Sequence, residues 1–210
     1  MIGDEHQPLR VAVSDEIRRR IIAGVLPQGE RIREEELAAE LGVSRNPVRE
    51  ALQTLTHEGF VEIEPRRGAR VMVLSDERAG HLFEVREVLE GLVAALAAKR
   101  RTLRQLGEIE RVTSAGLDAV PSGELAALPA LNSRFHALLV DAAANPLLAE
   151  IHTDLTNVIQ WMYTRRLLQR GQWSWDEHAA ITRAVADQDA DRAADLARAH
   201  IRNARDAYFS

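Results

Sequence analysis

The chain of 210 residues predicts a mainly α protein: an amino-terminal winged helix-turn-helix with a small β-hairpin wing, followed by an all-α helical bundle. Three observations predict it. Helix-spaced segments broken by Gly and Pro run to Gly59, and two-residue alternation follows as far as Val73. From Leu74-Ser75-Asp76 onward come long Ala- and Leu-rich helical stretches with no strand-like run. The domain boundary is placed there, giving residues 1–74 and 75–210.

In the first domain, Leu9, Val13, Ile17 and Ile21 recur every four residues. That spacing aligns them on one face of a helix from Leu9 to Ile22 and turns Arg18, Arg19 and Arg20 mostly away. Gly24 and Pro27-Gln28-Gly29 end this helix. A second helix is expected from about Arg33 to Leu41, with acids in its first turn at the positive end of the helix dipole, and Gly42 stops it. Gly42-Val43-Ser44 is then a tight turn whose Ser44 hydroxyl caps a third helix; Pro47 is tolerated there because first-turn amides lack helical partners. Val48, Ala51, Leu52 and Leu55 form the inward stripe of that helix, and Arg45, Arg49, Gln53 and Thr56 face outward. Beyond Gly59, Val61 and Ile63 alternate on one strand and Val71 and Val73 on its partner, joined by Pro65-Arg66-Arg67-Gly68. This hairpin is the wing.

In the second domain a fourth helix is expected to carry an apolar stripe of Leu82, Val85, Leu89, Leu92, Val93 and Leu96. Helical patterns follow from Leu103 to Val112 and from Pro129 to Ala144. Asn145-Pro146 closes one helix and opens another through Leu147, Leu148, Ile151, Leu155, Val158, Ile159 and Met162. Ser174 with Glu177 has capping-box spacing for a helix to about Asp187, and a last helix runs from about Asp189 to Ala207.

Composition narrows the function classes. An apolar content of 46% fills a real core. There is no Cys, no apolar run able to span a bilayer and no charged-then-apolar leader. The expectation is a cytoplasmic protein with no membrane partner, disulfide or thiolate metal site, although missing cysteines alone also fit an exported chain. A net charge of -5 is the wrong sign for a protein coated in positive charge to hold nucleic acid. Any DNA contact must come from a local patch.

Such a patch is present. Arg45 and Arg49 lie one turn apart on the outward face of the third helix, so both can enter a major groove, where Arg pairs bidentately with guanine. Ser44, Asn46 and the amides at the helix start can hold phosphate. The wing adds Arg66, Arg67 and Arg70, with no acid between Pro65 and Leu74, a cation cluster for the backbone or minor groove. Two arginines on one helix are more often only a charged surface, and a basic turn only a solvated one. The order helix, helix, turn, helix, basic-tipped hairpin is what favours a reader of double-stranded DNA.

The run Arg31-Ile32-Arg33-Glu34-Glu35-Glu36-Leu37-Ala38, then Gly42-Val43-Ser44-Arg45-Asn46-Pro47-Val48-Arg49-Glu50-Ala51-Leu52, then Leu55, Glu58-Gly59 and Arg67-Gly68-Ala69, resembles the amino-terminal domain of GntR-family regulators. The resemblance continues through Arg86-Glu87, Glu90, Phe135-His136, Asn145-Pro146, Glu177-His178 and His200, which are similar to the FadR-type branch with its all-helical FCD sensor domain. It implies operator contact by Ser44, Arg45, Asn46 and Arg49, by Gly68 with Arg66 and Arg67 in the wing, and by Arg33. It further implies a homodimer on a palindromic operator and a small-molecule effector, often a carboxylate, that changes affinity.

A second constellation is histidine-based. His136, His178 and His200 fall on three different expected helices, each on or beside an apolar stripe, and Asn132 precedes His136 by one turn on the same face. Three imidazoles from separate helices can converge as nitrogen ligands for a divalent transition metal, zinc first, nickel or manganese as alternatives, leaving positions open for water or an effector carboxylate. Scattered histidines are otherwise more often satisfied core or surface groups, the reading given to His6, His57, His81 and His152. In metal-binding FCD domains the resemblance implies an Asp followed by three His; Asn132 stands at the Asp position, so the ligand set departs from the pattern.

Arg86 falls within the apolar stripe of the fourth helix and is a candidate effector contact, although pairing with Glu90 one turn on is the default. Trp161, Tyr163, Trp173 and Trp175 can wall a pocket or serve packing and dimer contact. The leading function is a ligand-responsive DNA-binding transcription regulator that is not an enzyme. The alternatives are a metal-dependent hydrolase at the three-His site, for which no paired general base, nucleophile motif or phosphate loop is evident, and a winged helix used for protein contact.

Overall fold

The structure, a computed structural model, describes residues 9–64, 67–152, 155, 161 and 171–210, and of 171–173 the backbone alone. Pro65 and Arg66 at the wing, Val158, Ile159 and Met162, and Tyr163 lie outside the described residues, as does the side chain of Trp173. The chain divides into two compact units, Met1–Leu74 and Ser75–Ser210.

The first unit contains α1 (Leu9–Ile22), β1 (Arg31–Ile32), α2 (Glu34–Leu41), α3 (Arg45–His57), β2 (Val61–Glu64) and β3 (Gly68–Val71). α1 packs on α3, and Val13, Ile17 and Ile21 are buried with Val48, Ala51, Leu52 and Leu55. Leu9, expected on the same face, is exposed at the helix start. α2 ends at Gly42, whose left-handed φ of 66° an L side chain resists, and its amide bonds back to the helix. Ser44 takes the extended cap conformation, yet its hydroxyl accepts no bond from α3. Pro47 removes one of the two amides that such a hydroxyl normally receives.

The wing is three-stranded, in the order β1-β3-β2 with both pairings antiparallel. Ile63 stands opposite Ala69, and Glu62 opposite Arg70. β1 was not expected, because two residues carry no periodicity; it pairs Ile32 with Ala69. Val73, expected on the last strand, lies beyond β3 and is exposed.

The second unit contains α4 (Asp76–Arg100), α5 (Leu103–Ala119), a 3-10 turn (Leu125–Ala127), α6 (Leu128–Ala143), α7, described over 146–152, α8 (Gly171–Ala186) and α9 (Ala190–Phe209). Ser75 caps α4, Asp189 caps α9, and Thr102 with Gln105 forms a capping box on α5. The expected box of Ser174 and Glu177 does not form. α8 already begins at Gly171, so Ser174 is inside the helix, and Glu177 bonds to α9 instead. Arg100 donates to the carbonyls of Ala143 and Ala144, and Arg101 to those of Val185 and Ala186. Two adjacent cations at the carboxyl end of α4 thereby satisfy the carboxyl ends of α6 and α8.

α4 departs from its expected stripe. Its buried residues are Ala79, Phe83, Arg86, Glu90, Gly91, Val93, Ala94, Ala97 and Ala98, whereas Val85, Val88 and Leu92 are exposed. The helix is turned so that an arginine and a glutamate face the core, where the neighbouring helices supply partners. Its small residues let it run close along α9.

Trp175 on α8 fits against Gly116 on α5 so closely that a Cβ there would stand 2.2 Å from the indole ring. Gly116→Ala should therefore cost about 3 kcal/mol, the upper end of ordinary overpacking, read as a lowered urea midpoint. Gly91→Ala should cost less, because the Arg198 side chain that it meets is flexible and can move.

Candidate functional site

Two groupings of the sequence-predicted residues emerge, one in each unit. In the first, α3 presents Ser44, Arg45, Asn46 and Arg49 on its exposed side. An open groove of about 500 Å³ runs between α3, the start of α2 and the sheet, lined by Arg31, Arg33, Glu34, Arg45, Arg49 and Gly68 among others. The structure thus brings Arg33 and Gly68 beside the two helix arginines. Arg67 is exposed at the end of the wing. Arg66 lies outside the described residues.

These cations do not stand alone. Arg49 donates to Glu34 at 3.0 Å, Arg45 to Glu35 at 3.2 Å and Arg33 to Glu36 at 2.6 Å. In the wing, Glu64 takes Arg67 at 3.4 Å and Arg70 at 3.4 Å. The absence of acids between Pro65 and Leu74 therefore overstated the free positive charge of the tip, because antiparallel pairing brings the β2 acids across. All these pairs are solvent-exposed, screened and weak. They leave the arginines free to exchange carboxylates for phosphates and base edges.

In the second unit, His136 on α6, His178 on α8 and His200 on α9 converge, with one ligand atom from each within 4.8 Å of the others. All three are buried, as is Asn132 one turn before His136. His178 Nε2 and His200 Nε2 are 3.3 Å apart. Nitrogens about 2.0–2.1 Å from a tetrahedral cation stand about 3.3–3.4 Å apart, so the spacing suits a shared metal.

The outer nitrogens are held by carboxylates. His136 Nδ1 lies 3.1 Å from Glu90 Oε2, and His200 Nδ1 lies 2.7 Å from Glu177 Oε2. Asn203 donates to the other Glu177 oxygen at 2.7 Å. An ionised carboxylate only accepts, so each of these two rings carries its proton on Nδ1 and turns its Nε2 lone pair inward. His136 Nε2 is buried with no hydrogen-bond partner. The third ring, His178, is held by aromatic faces: Phe135 stacks on it at 4.1 Å and Trp175 meets it edge-on at 4.7 Å.

Burial would push the Glu90 carboxyl up, but its contact with His136, the hydrogen bond to His152 and the Arg86 guanidinium hold it well below the usual carboxylate range. Arg86 is buried, with Nη2 3.5 Å from Glu90 and Nε without a partner. Burial pushes the His200 imidazole down to about 4, against the opposing Glu177 hydrogen bond, so at neutral pH it is unprotonated.

Comparison with known proteins places both units. Residues 9–71 match the gntR family of bacterial regulatory proteins, and residues 81–203 match the FCD domain. The chain belongs to the GntR family. Its relatives include the Nta operon transcriptional regulator of Aminobacter aminovorans, 35% identical over 82% of this chain and 81% of that one. Another is the HTH-type transcriptional repressor RspR of Escherichia coli, 30% identical over 65% of this chain and 60% of that one. Among solved structures, E. coli McbR/YncC superposes with a TM-score of 0.80 at 19% identity, covering 97% of this chain and 98% of that one, which shows a shared fold. This GntR-family chain is thus a DNA-binding transcriptional regulator with an FCD domain, a domain class that binds small-molecule effectors, and not an enzyme. Among the described residues no helix is long and apolar enough to cross a membrane.

Sequence reasoning missed Glu90, Glu177 and His152 as parts of the second grouping. His152, read from the sequence as a satisfied histidine, is buried with Nε2 3.3 Å from Glu90 Oε1 and joins the grouping through that carboxylate. The nearest signal was the buried fate of Arg86, since an arginine inside a helical stripe requires an anion nearby. Of the aromatic cluster, Trp161 and Trp175 are buried, and Trp175 backs His178.

The depressed His200 value sets a pH window. The unfolded chain takes up this proton at a higher pH than the folded one, so the contribution is complete above about 6.5 and is lost as pH falls toward about 4. Chelator-treated protein should lose stability on the order of 3 kcal/mol across that window in urea titrations, and His200→Gln should flatten the dependence.

Proposed function

We propose that this GntR-family chain acts in the cytoplasm as a homodimer on a palindromic operator. Its affinity for that operator is set by a small carboxylate effector bound at a divalent transition metal held by His136, His178 and His200. The observation that carries this reading is the convergence of three buried imidazoles, one of which, at His136 Nε2, has no partner within the protein. A buried polar atom left so costs about 1–3 kcal/mol, which a coordinated cation removes. Three nitrogen donors suit zinc, nickel or manganese in that order of expectation, and Asn132 stands as a neutral fourth donor. When bound, the metal supplies a Lewis-acid position for an anionic oxygen. Arg86 adds a buried cation 3.5 Å from Glu90 Oε1, with one nitrogen unspent.

The dimer is supported by α4, where Val85, Val88 and Leu92 follow helical spacing and are 49%, 66% and 44% exposed. A two-fold pairing of that face removes three large apolar groups from water. Each protomer then offers one α3 to each half-site, where Arg45 and Arg49 read bases and Ser44, Asn46, Arg33, Gly68 and the wing arginines fix the register on phosphates.

Elemental mass spectrometry on protein purified without a metal-affinity tag should find close to one metal per chain, lost when His136, His178 and His200 are changed to Ala. An equal content in both proteins would remove the metal from the reading. Arg45→Ala and Arg49→Ala should each weaken operator binding by about 1–3 kcal/mol and lower its advantage over random DNA. Val88→Glu should sediment as a monomer; unchanged operator affinity in all three variants would point to a winged helix used for protein contact.

A further inference from the structure

We propose that Glu90 is the positioning residue on which metal affinity at the three-histidine site depends, supplying from outside the ligand set the negative charge that Asn132 does not. This rests on the metal reading above. Three neutral imidazoles and an amide leave a divalent cation uncompensated, and Arg86 places a further positive charge nearby. Such an excess in a buried site is opposed by a large desolvation cost.

Among the described residues two carboxylates meet the histidine rings, and they differ. Glu177 is 23% exposed and divides its oxygens between His200 and Asn203, where water screens it. Glu90 is 3% exposed, so its field acts at nearly full strength. One Glu90 oxygen bonds His136 Nδ1, the other His152 Nε2, and Arg86 lies alongside. Its hydrogen bond fixes the His136 ring and tautomer with Nε2 turned inward, and makes that nitrogen a better donor. The same carboxylate ties α4 to α6 and α7, so ligand geometry is set by residues from three helices.

The test is cobalt and zinc affinity of the full-length protein, measured by competition with a chromophoric chelator, with the cobalt absorption bands and quenching of tryptophan emission as additional readouts. Wild type should bind one equivalent. Glu90→Gln, close in shape but neutral, should bind about 10–100-fold more weakly. The double variant Glu90→Gln with Asn132→Asp should recover most of that loss, because it returns the charge from a ligand position. Should Glu90→Gln fail to fold, Glu90→Asp keeps the counter-charge for Arg86 while drawing back from His136 by one methylene, and should bind roughly 10-fold more weakly. A wild type that takes up no cobalt or zinc overturns the metal reading itself. A wild type that binds, with Glu90 variants that bind equally well or a double variant no tighter than Glu90→Gln, overturns the role of Glu90 and leaves the metal reading standing.

Discussion

Arg86, Glu90, His136, His152, His178 and His200 share the interior of one helical unit with almost no access to water. In that medium a charge or lone pair without a partner costs several times what it costs at a surface. The packing of the unit follows from satisfying them. α4 must turn Arg86 and Glu90 inward, so the opposite side of the helix inherits Val85, Val88 and Leu92 and becomes an apolar surface. α9 must come near enough to α8 for His200 to meet His178 and Glu177, and on its α4 side Gly91 admits Arg198 and the Ala194 carbonyl of α9. An inward polar cluster and an outward apolar face are thus two results of one rotation.

The DNA-binding unit works in the opposite dielectric regime. Arg45 and Arg49 are about half exposed, and their carboxylate partners are no better protected than surface groups generally are. Pairs of this kind keep long side chains extended in roughly the right direction while contributing little stability, so a phosphate or a guanine edge displaces the carboxylate at small cost. They also explain how a chain of net charge -5 can carry a nucleic-acid surface. The acids that balance the arginines lie beside them in α2 and β2, and only at contact distance does the arrangement expose net positive charge.

How far the sequence could be read follows the same division. α3 was legible in its two faces though not in its cap, because its apolar stripe is buried and its polar face is wet, which is what periodicity measures. α4 was legible as a helix and misread in its orientation, because its inward residues include a charged pair and its outward ones three branched aliphatics. The three converging histidines could be named through family resemblance, since each His sits on a recognisable helix. Glu90, Glu177 and His152 could not, because their value lies in contacts between residues 23 to 62 positions apart. The box at Ser174 failed because α8 already begins at Gly171, which leaves Ser174 inside the helix and Glu177 to His200. β1 escaped because a two-residue strand is defined by its partner and not by its own pattern.

An effector can move the regulator only by binding one arrangement better than another, and the useful difference is typically 1–3 kcal/mol. On the function proposed, the interior around His136 supplies that amount. Arg86 shares the Glu90 carboxylate with two histidines, and its Nε has no partner. A carboxylate that reaches this nitrogen in one arrangement and misses it in another gains or loses a single charge-assisted hydrogen bond, worth about 1.5–3 kcal/mol. Because Glu90 holds Arg86, His136 and His152 at once, a shift in any one of them is felt by the other two. On the function proposed, recognition of the effector and alignment of the ligand histidines therefore depend on the same buried carboxylate, which is why a neutral Asn132 can be tolerated beside it.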